Sequence, residues 1–176
     1  IYHETALDIA AESGSVACIE ALHKCFPDTC NASTLVGSAL IKAVRSFKPH
    51  PIIAMHKYFG QYIQNHFVIT AFSRVSTLQC AAALYTCFPN SIISSNPDAE
   101  WFCAACQGDI VKMMTVLQQR RLVHPNFDIN IKDIHSNTAL MYAAAQGHAE
   151  YITALHNNAT YSHNNKIHGR RLALTA

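Results

Sequence analysis

The sequence predicts an all-α protein built from repeated helix pairs. The stretch 128–156 reads as a turn, a helix, a glycine and a second helix in succession. Residues of the same type then return at similar intervals along almost the whole chain. One such helix pair cannot bury its apolar side alone, so the units are expected to stack on one another.

The stretch 128–156 is the clearest of these units. Its defining positions are Thr138, Leu140, Ala143, Ala144, Gly147, His148, Ile152 and Leu155. A threonine hydroxyl can accept a hydrogen bond from the first turn of a helix, so Thr138 is a candidate N-cap. Gly147 is expected to break that helix, and a second helix begins after it with Ile152 and Leu155 as its apolar positions.

Four earlier units follow the same offsets with decreasing clarity. The first has Thr5, Leu7, Ala10, Ala11, Gly14, Ile19 and Leu22, and the fourth has Ala99, Trp101, Ala104, Ala105, Gly108, Met113 and Val116. The second has Ser38, Leu40, Ala43, Val44, Phe47, Ile52 and Met55, with Phe47 where glycine is expected. The third is found from its end, because Ala83–Asn90 parallels Ala21–Asp28. Counting back places Phe67, Ile69, Phe72, Ser73 and Ser76 on its first helix.

The units together form one predicted repeat domain that covers the chain. Repeats are expected at about 1–33, 34–62, 63–94, 95–133 and 134–165, with a partial sixth at 166–176 that contains Arg170, Leu172, Leu174, Thr175 and Ala176. Because the chain starts within a hairpin and stops within a helix, we expect it to be a fragment of a longer array. The long interval before the fifth unit is expected to extend the outer helix, or the loop after it, near Gln118–Phe127.

The fifth unit resembles an ankyrin repeat. Against the pattern T-P-L-H-x-A-A-x-x-G-H it has Thr138, Leu140, Ala143, Ala144, Gly147 and His148, with Ala139 in place of proline. The resemblance implies an ankyrin-repeat solenoid with short hairpin loops, in which repeats run about 33 residues. Tetratricopeptide units, the alternative, lack the glycine that follows the alanine pair.

Composition excludes several classes of protein. Half of the residues are hydrophobic, 14% are charged and the net charge is +2, so no basic field indicates nucleic acid or a membrane surface. No apolar run is long enough for a membrane span, and the N-terminus shows no signal peptide. The odd number of cysteines, seven, fits a reduced cytoplasmic protein better than a disulfide framework.

Histidines and cysteines offer candidate chemistry that the repeat interpretation does not favour. His23, His56 and His156 share one position in three different repeats, which is too far apart for a single zinc ion. Cys103 and Cys106 flank an alanine pair on a predicted helix, where small core thiols are expected. We therefore expect no catalytic residue, no metal and no cofactor.

The resemblance assigns partner binding to the concave surface, made of hairpin tips and the ends of first helices. The residues at those positions are Glu12, Ser13, Arg45, Ser46, His66, Arg74, Asp98, Gln107, His135, Asn137 and Gln146, with Glu4 and Gly37 as further hairpin tips. Arg45 and Arg74 would form a basic stripe for an acidic partner segment, or would be solvated surface residues.

One modification site is implied as well. Leu122, Asp128, Ile129 and Asn130 resemble the spacing of ankyrin repeats that are hydroxylated on asparagine. A structural role is the alternative, in which the Asn130 side chain bonds the hairpin backbone.

The sequence thus predicts a protein-interaction module, a scaffold in the cytoplasm that binds a protein partner and no nucleic acid, membrane or small-molecule substrate. The alternative is the targeting domain of a larger enzyme or of a bacterial effector secreted into a host cytoplasm. Family resemblance alone establishes neither function.

Overall fold

The computed structural model describes residues 4–30, 32–125 and 127–158, and their regular secondary structure is entirely helical. The helices are α1 (Ala6–Ser13), α2 (Val16–Cys25), α3 (Pro27–Cys30), α4 (Ser33–Ala43), α5 (Pro49–Phe59), α6 (Asn65–Ser73), α7 (Leu78–Cys87), α8 (Pro89–Ile93), α9 (Ala99–Gln107), α10 (Ile110–Val123), α11 (Ala139–Gln146) and α12 (149–158). The predicted all-α class is confirmed for these residues. The proposed sixth repeat lies outside them.

Threonines begin the best-matched pairs, as predicted. The Thr138 hydroxyl accepts from the Met141 N–H at 3.3 Å. The Thr5 hydroxyl accepts from the Asp8 N–H at 3.1 Å, and Asp8 Oδ2 accepts from the Thr5 N–H at 3.0 Å. This reciprocal capping satisfies two backbone donors at the start of α1.

Left-handed residues end the first helix of four pairs. Gly14, Gly108 and Gly147 have φ of 79°, 67° and 77°. In the second pair a 3₁₀ turn, Val44–Ser46, continues α4, and Phe47 follows it at the position where glycine was expected, with φ of 58°. The left-handed conformation therefore occurs at this repeat position even where the residue is not glycine, and Phe47 bears its strain with the side chain exposed.

The second pair begins earlier than predicted. Its first helix, α4, starts at Ser33 rather than Ser38. Gly37 is therefore not a hairpin tip but a buried residue in mid-helix. A Cβ there would overlap the Phe67 ring, so glycine lets α6 approach α4 closely.

The third pair is shifted by one residue from its prediction. Val68, Ala71 and Phe72 are buried on α6, whereas Ile69 and Ser73 are exposed. Ser76 does not end the helix in the left-handed conformation, since Arg74–Thr77 form a longer turn before α7. The longer turn absorbs the extra residue and restores the register of α7.

Short helices stand where hairpins were predicted. The parallel segments after α2 and α7 form α3 and α8, each beginning at a proline, and a 3₁₀ turn at Gly60–Tyr62 precedes α6. His66 is inside α6, so it is not a hairpin tip either. Among the described junctions only the one before α11 is a tight polar turn, in which the Asp133 N–H donates to the Asn137 carbonyl at 2.9 Å. The expectation of a short hairpin before every pair is wrong.

Successive pairs pack against one another, with one irregular junction. Helix α1 packs on α4 and α4 on α6, while α2 packs on α5 and α5 on α7. At the next junction α8 contacts both α6 and α9, and α9 packs on α7. Regular packing of first helix on first helix resumes between α9 and α11. The short helix α8 therefore offsets the fourth pair from the third.

One apolar repeat position is buried in the first, second and fourth pairs and exposed in the last described pair. Leu7, Leu40 and Trp101, which share one repeat position, are 2%, 0% and 0% exposed. The equivalent Leu140, on the last described pair, is 44% exposed.

The outer helix of the fourth pair is extended, as expected. Helix α10 continues to Val123, giving 14 residues against ten in α2 and ten in α7, and a loop follows it. Across the residues described, no helix has the length and apolar content that a bilayer crossing requires.

Candidate binding surface

The predicted concave-face residues lie at the ends of first helices, directly before the left-handed turns. Ser13, Gln107 and Gln146 are exposed there. Ser13 and Ser46 hydroxyls donate to carbonyls three residues earlier, at 3.1 and 2.8 Å, which holds each close to its own helix end. Ser13, Gln107 and Gln146 thus place exposed polar groups at equivalent positions of three first helices.

A four-residue charge cluster joins the first two pairs across this surface. Lys42 Nζ lies 2.7 Å from Glu4 Oε1 and 2.9 Å from Glu12 Oε2, and Arg45 lies 3.7 Å from Glu12 Oε1. The hydrogen bond from Lys42 lowers the pKa of Glu12, and the bonds to Glu4 and then Glu12 raise the pKa of Lys42. Two acids and two bases make the cluster neutral as a whole.

This cluster bears on the predicted basic stripe. Arg45 is half exposed and faces Glu12, so part of its field is offset before any partner arrives. Arg74 is exposed at the C-terminal end of α6. The two arginines thus differ in surroundings, Arg45 within an ion-pair cluster and Arg74 at the irregular turn of the third pair. Their role in binding stays a prediction.

Two other predicted residues engage neighbours within the described chain. Asp98 Oδ1 lies 2.8 Å from Arg120 Nη2 on α10, so its carboxylate is held by the second helix of its own pair. The His66 ring is exposed and lies against that of Phe67, with centroids 4.0 Å apart. Neither side chain stands on a hairpin tip.

His135 and Asn137 belong to a half-buried polar cluster that sequence reasoning missed. At its centre is Asp133, which is 8% exposed. Asp133 Oδ1 accepts from the His135 and Asn137 N–H groups at 2.9 Å, and its Oδ2 accepts from the Tyr142 hydroxyl. The Tyr85 hydroxyl, on α7, also donates to Oδ2 at 3.4 Å.

The same cluster ties the turn before α11 to the third pair. The His135 ring packs on Phe72, with centroids 4.9 Å apart, and Asn137 Nδ2 donates to the Tyr142 hydroxyl at 3.2 Å. Burial and the Asp133 charge raise the pKa of Tyr142. His135 and Asn137 therefore support the turn and are only partly available to a partner, contrary to the expectation of free hairpin tips. One signal in the sequence could have identified Asp133. An aspartate can accept hydrogen bonds from the N–H groups two and four residues later in a turn.

Asn130 is exposed, and its N–H donates to Asp128 Oδ1 at 2.9 Å. Leu122 is 82% exposed. Leu122 and Asn130, the first and last residues of the proposed hydroxylation spacing, are therefore at the surface, and the modification stays a prediction.

The thiols differ in burial: Cys80, Cys103 and Cys106 are buried, whereas Cys18 and Cys25 are exposed. Burial raises the pKa of Cys103 to about 12 and that of Cys87 to about 11, and it also raises the pKa of Cys106. The nucleophilic thiolate is disfavoured at these three sites near neutral pH.

The histidines at the shared repeat position pack on the next unit. The His23 ring meets Phe59 edge-on at 5.2 Å between centroids, and the His56 ring meets Phe88 at 4.9 Å. Within the described parts of the chain, no three His, Cys, Asp or Glu side chains are grouped so that they could hold a metal ion.

Comparison of the chain with protein-family models, with curated proteins and with solved structures finds no match in any of the three.

Proposed function

We propose that this chain is an ankyrin-like solenoid that binds a protein partner on its concave surface and performs no chemistry of its own. The observation that carries the proposal is the repeated first-helix end. In four pairs a left-handed residue follows the helix, and polar side chains precede it on the same side of the stack. Such a surface is extended and built from equivalent positions, a geometry that repeat proteins use for recognition.

The surface offers two kinds of contact to a partner. The residues of the first two pairs offer charge, through Glu12 and Arg45, and those of the fourth and fifth offer amides, through Gln107 and Gln146. Arg74 supplies a cation between them along the chain. A partner segment with carboxylates near the arginines and backbone groups near the glutamines would complement this arrangement.

The test is a quantitative pull-down with wild type and the Arg45→Glu/Arg74→Glu variant. We expect the variant to lose the partner, because two attractive charges become repulsive. Lys24→Glu/Lys57→Glu is the matched control, since it makes the same charge change on α2 and α5, the outer helices.

The outcomes separate the charge proposal from the surface proposal. If the variant keeps every partner at normal affinity, the basic stripe is wrong. Gln107→Trp/Gln146→Trp then blocks the exposed amide positions. Partner retention by that variant as well would exclude the concave surface as the binding site.

A further inference from the structure

An exposed apolar stripe runs along α10. Val111 is 78% exposed, Met114 42% and Leu122 82%, and Gln118 lies between the last two. Spacings of three, seven and eleven residues from Val111 place all four side chains on one side of a helix. The helix buries a different set against the stack, Met113, Val116 and Leu117.

Stacking of the repeats does not require this stripe. The positions equivalent to Val111 in the other pairs are Ala17, His50, Gln79 and Glu150, all exposed. Those residues are small or polar, as expected on a solvated outer face. Only the fourth pair has a large aliphatic side chain at this position, and that side chain is not stabilised by burial in the core.

The stripe borders a groove of about 360 Å³ between α10 and the end of α12. The groove is lined by Met114, Leu117, Gln118, Arg121, Leu122 and Asn158. Leu122 is in the extra turn that makes α10 longer than the other outer helices. The extension therefore supplies one end of the groove.

The charged side chains within α10 have one sign. Helix α10 contains Lys112, Arg120 and Arg121 and no acidic residue. Arg120 is paired with Asp98, whereas Arg121 donates to the neutral carbonyl of Asn158 at 3.1 Å, which leaves its charge in place. At 3.6 residues per turn, Lys112 and Arg121 lie on opposite sides of the stripe.

We propose that the α10 stripe, with the groove it borders, binds an acidic amphipathic helix of a protein partner. The apolar side chains of that helix would contact Val111, Met114 and Leu122, and its carboxylates would meet Lys112 and Arg121. An anionic membrane would also attract a basic apolar helix. The groove favours a helix, because a bilayer cannot follow a concavity between two helices.

The probe is a labelled 18-residue synthetic peptide with Leu at helical spacing on one face and Glu on the other. Its controls are a scrambled peptide of the same composition and a peptide with Lys in place of Glu. Fluorescence anisotropy with the full chain is expected to give at least about tenfold tighter binding of the acidic amphipathic peptide than of either control.

Variants assign the binding to the groove. Val111→Glu/Leu122→Glu is expected to weaken it at least about tenfold, and Lys112→Gln to weaken it less. Ile53→Glu/Ile134→Glu, which changes two other exposed apolar residues, is the matched control and should bind as wild type does. Arg45→Glu/Arg74→Glu should also bind normally, so failure of the concave-face proposal leaves this test unaffected.

Three results would overturn the proposal. They are equal affinity for the acidic and scrambled peptides, unchanged binding by Val111→Glu/Leu122→Glu, and binding of phosphatidylserine vesicles that the same variant abolishes while the acidic peptide is ignored. Because the substituted side chains are at the surface, each variant is expected to keep its helices. Circular dichroism of each variant checks this.

Discussion

Two segments with closely similar sequences have different surroundings in this molecule. Cys25-Phe26-Pro27 ends α2 and starts α3, and Cys87-Phe88-Pro89 ends α7 and starts α8. The backbones match, with φ and ψ of −134° and 51° at Phe26 and −130° and 48° at Phe88. Yet Phe26 is 56% exposed and Phe88 only 8%. Local sequence sets the turn, whereas the neighbouring pairs decide whether it becomes part of the core.

The strongest test of this contrast is to remove each ring. Phe88→Ala leaves a cavity beside His56, and we expect a loss of about 3 kcal/mol or more in the free energy of unfolding. Phe26→Ala removes a largely exposed ring and should cost less than about 1 kcal/mol. Urea unfolding of both variants measures the difference. Equal losses would mean that the junction at α8 contributes no more than the one at α3.

A second test removes one buried carboxylate from the first pair, Asp8, and one from the turn before α11, Asp133. Asp133→Ala leaves the Tyr142 hydroxyl and two turn N–H groups without their acceptor, at an expected cost of about 3 kcal/mol. Asp8→Ala removes only one side of the Thr5 cap and should cost about 1 kcal/mol. Thermal unfolding followed by circular dichroism compares the two. A larger loss in Asp8→Ala would contradict the role given to the Asp133 cluster.

A third test uses three glycines with the same backbone conformation. A Cβ on Gly108 would lie 2.8 Å from the His148 ring, which is held by a 3.0 Å contact between Nε2 and the Cys106 carbonyl. At Gly14 the nearest atom is on the flexible Lys48 side chain at 3.3 Å, and near Gly147 nothing lies within 4 Å. We expect Gly108→Ala to cost about 2 kcal/mol, and the other two about 1 kcal/mol from backbone strain. Identical unfolding midpoints for the three variants would show that the His148 ring moves away from the added Cβ without a measurable cost in stability.

The smallest expected effect concerns the charge cluster of the first two pairs. Lys42 holds the pKa of Glu12 below its ordinary value, so this contribution is present above the unfolded pKa and is lost as pH falls through the folded pKa. The raised pKa of Lys42 keeps its own contribution intact at neutral pH. Lys42→Met should therefore lower Tm slightly at about pH 7, and the difference should shrink as pH falls through the lowered pKa of Glu12. Lys132→Met, at an exposed position, is the control, and a pH-independent difference would argue against the ion pairs.

The features that sequence predicted depend on single residues and their immediate neighbours. Thr5 and Thr138 cap helices, and the left-handed turns fall at the repeat offsets even where Phe47 replaces glycine. These are local requirements, so the pattern in the chain was sufficient to find them.

The features that the sequence did not predict depend on contacts with distant residues. Val68 and Ile69 are adjacent aliphatic side chains, and only packing on the neighbouring pairs determines which is buried. Gly37 is explained by the ring of Phe67, and the burial of α8 by its position between α6 and α9. Nothing near these residues in the sequence signals such contacts.

The same limit applies to the candidate surface. Repeat position predicted which residues end the first helices, such as Ser13 and Gln107, and these are exposed. It could not predict that Asp98 pairs with Arg120, or that His135 packs on Phe72, because both partners lie on other elements.

The bond between Tyr85 and Asp133 has a consequence for the order in which the protein forms on the ribosome. The first two pairs contact mainly their immediate neighbours, so each can fold soon after it is synthesised. Tyr85 and its acceptor are 48 residues apart, a delay of about 2–10 s at typical translation rates. During that interval the nascent chain displays Tyr85 and Phe72 without the turn that will cover them. During this interval the exposed apolar surface around Tyr85 and Phe72 would be accessible to a chaperone.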